Sequence, residues 1–176
     1  MRRVILFNEN YVFEKEGKKE NVTLPHTWNA VDGQSASDYY RGECTYTKSF
    51  AKPELHAGEE LYLEINGANS SSEVSLNGKV LAAHDGGYST YRVNLTNELL
   101  DTNELQIKVD NSPNDHVYPQ KADFTFYGGL YRDVKLITVA GSHFDLDYYG
   151  GKGFYVTPEM KEDGSAEVRF DAYVCG

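Results

Sequence analysis

Apolar and polar residues alternate along much of the chain. Leu61, Leu63 and Ile65 alternate with Tyr62 and Glu64, and Leu105, Ile107 and Val109 with Gln106, Lys108 and Asp110. A period of two predicts half-buried β-strands. Val74 and Leu76 lead into Asn77-Gly78, and Lys79-Val80-Leu81 leads out. That is a hairpin signal, because a type I′ turn needs positive φ at both central positions. Residues 4–7, 46–50 and 134–139 add strand-like runs, the first suited to a sheet edge. Polar stretches separate them: a charged turn at 14–20 around Gly17, and a small-residue loop at 30–37 with no structure of its own. Residues 94–100 allow one short helical turn, and no segment has the apolar spacing of a longer amphipathic helix. Many short strands between polar turns predict an antiparallel β-sandwich.

A break at Gly141-Ser142 is followed by further strand-like runs at 144–148, 154–157 and 168–174. The 176 residues suffice for one ordinary domain and part of a second. Charge narrows the list of partners. Lys and Arg total 17 against 27 Asp and Glu, a formal charge of −10. Such a chain repels phosphate backbones and anionic membrane surfaces, which argues against nucleic acid and membrane partners. The apolar run after the basic start is too short for a signal peptide, so the chain is expected in the cytoplasm. Cys44 and Cys175 lack metal-ligand spacing, and Cys44 reads as a packed free thiol. His84-Asp85 and Asp115-His116 are poor ligand pairs, because adjacent strand residues point to opposite faces. Gly150-Gly151-Lys152-Gly153 lacks the phosphate-loop spacing and reads as a turn. The 14 Tyr and 8 Phe suit strand faces and a core first, sugar stacking second.

The densest chemistry lies in Asp123-Phe124-Thr125-Phe126-Tyr127-Gly128-Gly129-Leu130-Tyr131-Arg132-Asp133-Val134. Gly128-Gly129 predicts a tight corner before a strand. Arg132 and Asp133 form a candidate ion or hydrogen-bonding pair, and Asp123 lies on the loop side among aromatic rings. The pattern Asp-Phe-x-x-Tyr-Gly-Gly-x-x-Arg-x-Val resembles a signature of the N-terminal sugar-binding-like domain of glycoside hydrolase family 2. Leu24-Pro25-His26-Thr27-Trp28-Asn29, Asp38-Tyr39-Tyr40-Arg41-Gly42 and Val74-Ser75-Leu76-Asn77-Gly78-Lys79 resemble other motifs of that family, in the same order. Four ordered matches across residues 20–140 are far more specific than one.

The resemblance implies a jelly-roll (galactose-binding-like) sandwich over 1–140, with 141–176 as the opening strands of an incomplete immunoglobulin-like sandwich. Such a sandwich takes about 100 residues, whereas 36 follow Ala140. The chain therefore reads as a piece of a longer protein. Retaining glycosidases use two carboxyl groups about 5–5.5 Å apart, and family 2 carries both on a C-terminal (β/α)₈ barrel. No catalytic residue is expected here. The resemblance instead assigns substrate contact to Asp123 and, from a looser match, to Asp38, each weighed against a plain loop carboxylate. A carboxylate suits that role because it accepts charge-assisted hydrogen bonds from two sugar hydroxyls at once. His26, Trp28 and Arg132 read as scaffold, with Arg132 bonding either backbone carbonyls or Asp133.

The implied whole is a β-galactosidase acting on terminal β-D-galactosides, with its own immunoglobulin-like and barrel domains as partners and with room for a homo-oligomer. No cofactor is expected in this chain, while sodium or magnesium serves near the barrel in related β-galactosidases. A β-glucuronidase shares the Asp-Phe-x-x-Tyr core and is the alternative within the family. The alternative outside it is a stand-alone carbohydrate-binding module.

Overall fold

Alternation does most of the architectural work. The computed structural model describes residues 2–35, 38–119 and 121–176. Its strands run β1 (Arg3–Leu6), β2 (Tyr11–Lys15), β3 (Lys18–Val22), β4 (Glu43–Ala51), β5 (Glu59–Ile65), β6 (Ser71–Leu76) and β7 (Lys79–Asp85). They continue as β8 (Tyr91–Asn94), β9 (Thr102–Asp110), β10 (Val134–Ala140), β11 (His143–Phe144), β12 (Phe154–Met160), β13 (Ala166–Ala172) and β14 (Val174–Cys175). Among the described residues the helical pieces are two 3₁₀ turns, Asp32–Ser35 and Thr96–Glu98. The first falls in the stretch expected to have no structure of its own, whose residues 36 and 37 lie outside the described residues.

Two antiparallel sheets face each other, ordered β3-β2-β4-β9-β6-β7 and β1-β10-β5-β8. Leu61, Leu63 and Ile65 on one sheet and Leu105, Ile107, Val109, Val74 and Tyr46 on the other are fully buried between them. Burying each such aliphatic side chain is worth about 1.5–3 kcal/mol, so this shared face holds the jelly-roll sandwich together. The β6–β7 hairpin turns at Asn77 (φ 53°) and Gly78 (φ 81°), as the sequence predicts. The Asn77 amide donates to Glu98 O (2.9 Å) and its Oδ1 accepts from Glu104 N–H (2.9 Å), pinning the hairpin to its neighbours.

Two elements depart from the sequence reading. The charged run at 14–20 holds the hairpin between β2 and β3, turning at Glu16 and Gly17 (φ 50° and 75°). β3 faces solvent, so its composition hides it. β5 is buried on both faces rather than one: Tyr62 packs with Ile137, Val139 and Leu146, because residues beyond β10 fold back over the outer side of the smaller sheet.

That fold-back is fastened by charge. The Arg92 guanidinium pairs with Glu64 at 2.7 Å, both side chains buried, and donates to Leu146 O (2.8 Å) and Gly151 O (2.7 Å). Burial raises the Glu64 carboxyl, but the Arg92 hydrogen bond and charge, with Asn66 and Lys135, outweigh it and hold the group below its usual range. A depressed carboxyl contributes stability that is present above its unfolded value and lost as pH falls through its folded value. Thermal unfolding followed from pH 7 to 3 is expected to show a loss below pH 4.5 that shrinks in Glu64→Gln. An unchanged pH profile in that variant would contradict it.

Candidate functional site

The loops at one end of the sandwich are built around two buried asparagines. Asn29 Oδ1 accepts from Gly128 N–H (2.8 Å) and from the Asn111 amide (3.2 Å). Its own amide donates to Asp32 Oδ1 (3.0 Å) and Tyr40 O (2.9 Å). The Asn111 amide also donates to Phe126 O (2.9 Å), and its Oδ1 accepts from Gly42 N–H (2.9 Å). Both residues are fully buried. Buried amides are stable only when satisfied, and here the satisfaction comes from three loops at once. Asp32 is drawn in the same way. Burial raises its carboxyl, but hydrogen bonds from Tyr40 N–H and the Asn29 amide prevail and lower it.

Gly128 and Gly129 make the corner by different means. A Cβ on Gly128 would lie 2.0 Å from Trp28 Cζ2, so the position demands close approach. Gly129 has φ 129°, a conformation that L side chains rarely adopt. Trp28 is buried and stacks on Phe13 with ring centroids 6.0 Å apart. His26 Nδ1 lies 2.8 Å from the Tyr46 hydroxyl, and burial keeps its ring neutral to lower pH than usual, against the pull of Glu20. Arg132 donates to Tyr88 O (3.0 Å) and Asn66 O (3.3 Å). The expected Arg132–Asp133 pair does not form. Asp133 instead accepts from the Asn8 amide at 2.9 Å, because neighbouring residues in extended chain face opposite ways.

Asp123 stands outside this framework. It is exposed, and its carboxylate takes no hydrogen bond among the described residues. Asp38 is exposed as well, next to residues 36 and 37, which lie outside the described residues. Their loops are joined: Phe126 N–H donates to the Tyr39 hydroxyl (3.0 Å) and the Thr125 hydroxyl to Gly33 O (2.7 Å). A ring-lined cleft of about 250 Å³ opens beside them, walled by Thr27, Asn69, Tyr88, Thr125, Tyr127 and Tyr131. Among the described residues, no three His, Cys, Asp or Glu side chains gather as metal ligands. His84 stacks on Tyr91 instead, with centroids 4.2 Å apart.

Sequence reasoning passed over Asn111 and the tyrosine cleft. Asn111 had a signal: it continues the inward parity of Leu105, Ile107 and Val109, which places an amide where the core ends. The cleft was only half legible: Thr125, Tyr127 and Tyr131 lie in the one aromatic stretch, but Thr27, Asn69 and Tyr88 come from three other parts of the chain.

Known proteins resemble this chain in sequence and fold. The family described as glycosyl hydrolase 2 galactose-binding domain-like matches residues 15–138. A β-glucuronidase of Bacteroides fragilis is 33% identical over 175 residues, 95% of this chain and 25% of that protein. A β-galactosidase of Thermoanaerobacterium thermosulfurigenes is 30% identical, covering 77% of this chain and 21% of that protein. The crystal structure of an FMN-binding β-glucuronidase from F. prausnitzii L2-6 superposes with a TM-score of 0.94 at 44% identity, over 99% of this chain and 28% of that one. The chain thus spans about a quarter of the length of these relatives. It belongs to the galactose-binding domain-like family of the glycosyl hydrolase 2 proteins.

Proposed function

We propose that the chain is the N-terminal domain of a retaining glycoside hydrolase, buttressing a catalytic barrel and offering Asp123 to the bound sugar. One observation carries this reading. In the Asp123–Val134 loop, Phe126 O, Gly128, Gly129 and Arg132 are all taken up by internal contacts, while the Asp123 carboxylate is exposed and unbonded among the described residues. Asp38, on the adjoining loop, is a second and weaker contact. The proton transfers and nucleophilic attack belong to a pair of barrel carboxylates. This domain binds and orients.

A second domain is part of the proposal. On the β12–β13 hairpin, Phe154, Val156, Pro158 and Met160 pair with Ala172, Phe170, Val168 and Ala166 and share one face. Every residue of that face is apolar. Tyr155, Thr157 and Glu159 share the other face with Asp171, Arg169 and Glu167. Val156, Val168, Phe170 and Met160 are 52–72% exposed, an apolar face that needs a cover. Residues 141–176 would open an immunoglobulin-like sandwich whose facing sheet comes from elsewhere in the same polypeptide. Any sodium or magnesium would sit at the barrel.

For the sugar, the motif resemblance by itself favours a β-galactoside. The relatives include both activities, and the two β-glucuronidases reported above have the higher identities, so a β-glucuronide becomes the first choice and a β-galactoside the second. Assaying the intact polypeptide on 4-nitrophenyl β-D-glucuronide and β-D-galactoside, with NMR of the released anomer, tests this. The expected result is a strong preference for the glucuronide and release of the β-anomer first. Inversion, or no turnover of either glycoside, would overturn the reading.

A further inference from the structure

The cleft beside the Asp123 loop is faced with exposed aromatic ring. Its walls carry three tyrosine rings, and Tyr88 meets Tyr131 edge-on at 6.4 Å. Tyr88 is 57% and Tyr127 41% exposed, large areas of ring for a loop surface. The polar groups of the wall are already engaged. The Tyr131 hydroxyl donates to Gly87 O, and the Asn69 amide to Tyr127 O (2.7 Å). The Thr27 hydroxyl donates to Gly128 O (2.7 Å) and that of Thr125 to Gly33 O. A sugar needs several free partners for its hydroxyls, and this wall offers little beyond the tyrosine hydroxyls. The volume also falls below the roughly 300–1,000 Å³ usual for small-molecule pockets. An apolar side chain fits both facts.

The geometry points to this cleft as the socket for an apolar or aromatic side chain of the catalytic domain, seated there in the intact enzyme. The inference rests on the proposed function for its occupant: relatives of which this chain covers about a quarter have ample further chain to supply it. Thr125 and Tyr127 follow Asp123 by two and four residues, so filling the socket fixes the segment that presents the carboxylate. Tyr88 and Tyr127 are then positioning residues, acting through Asp123.

Nitration by tetranitromethane, read by peptide mass, compares the intact enzyme with the 176-residue chain. Tyr88 and Tyr127 should react at least ten-fold more slowly in the intact enzyme. Equal rates would overturn the inference. So would slowing in the isolated chain by 10 mM methyl β-D-glucuronide or β-D-galactoside, which would make the cleft a sugar site. In the intact enzyme Tyr127→Ala should lower kcat/KM about ten-fold and Tyr127→Phe should restore it, while the isolated variant chain keeps its Tm. An unchanged kcat/KM in Tyr127→Ala would also overturn it. Inactivity of the wild-type intact enzyme would strike the proposed function instead, and the nitration result would still read the socket.

Discussion

Asp123→Ala in the intact enzyme should lower kcat/KM by two to three orders of magnitude while leaving the fold unchanged. The carboxylate is exposed and holds nothing within the chain among the described residues, so its removal leaves no buried group unpaired. Its expected work is all toward the sugar. A hydrogen bond to a charged group is worth about 1.5–3 kcal/mol. Two such bonds near the lower end of that range are worth roughly 3–4 kcal/mol, and each ~1.4 kcal/mol is a factor of ten. Asp123→Asn keeps the shape and loses the charge, so it should fall between. Steady-state kinetics alongside thermal melts separates the two roles. A drop in Tm matching the loss of activity would make Asp123 a structural residue.

Asn29→Ala should do the reverse, unfolding the loop end of the isolated chain itself. The substitution strands Gly128 N–H and Tyr40 O and removes a donor from the Asp32 carboxylate. Each buried group left unsatisfied costs about 1–3 kcal/mol, so a loss of roughly 3 kcal/mol or more is expected. For a chain of this size each kcal/mol is about 2–4 °C in Tm, giving a fall of ~6–12 °C. Asn29→Asp should not rescue it, because a second carboxylate would then face Asp32. A Tm within ~2 °C of wild type would mean the network is relaxed by water at little cost.

The contrast between these residues shows what the sequence could convey. Strands with one buried face announce themselves by parity, and β9 and the Asn77-Gly78 hairpin were legible for that reason. β3 and β8 were not, the first because all of its residues but Val22 are charged or polar and the second because it is four residues long. The double burial of β5 depends on Leu146, 81 residues beyond its end, a distance no local pattern spans. At the site, the Gly-Gly corner could be read from composition, but the division of labour between Gly128 and Gly129 depends on where Trp28 lies. In the sequence Asp123 and Asp38 stood out only through family resemblance, since nothing in a run of residues shows whether a loop carboxylate is left exposed and unbonded. Asn29 lies inside one of the family-like motifs, yet the four partners of its side chain come from residues 32, 40, 111 and 128.

On the proposed function, this chain shapes a sugar site without containing the chemistry. Equal molar amounts of the purified 176-residue chain and the intact polypeptide, assayed on the two nitrophenyl glycosides, separate the two parts of that statement. Turnover by the intact protein and a rate indistinguishable from buffer for the chain are expected. Hydrolysis by the pure chain, abolished by a substitution within it, would instead place the catalytic groups here.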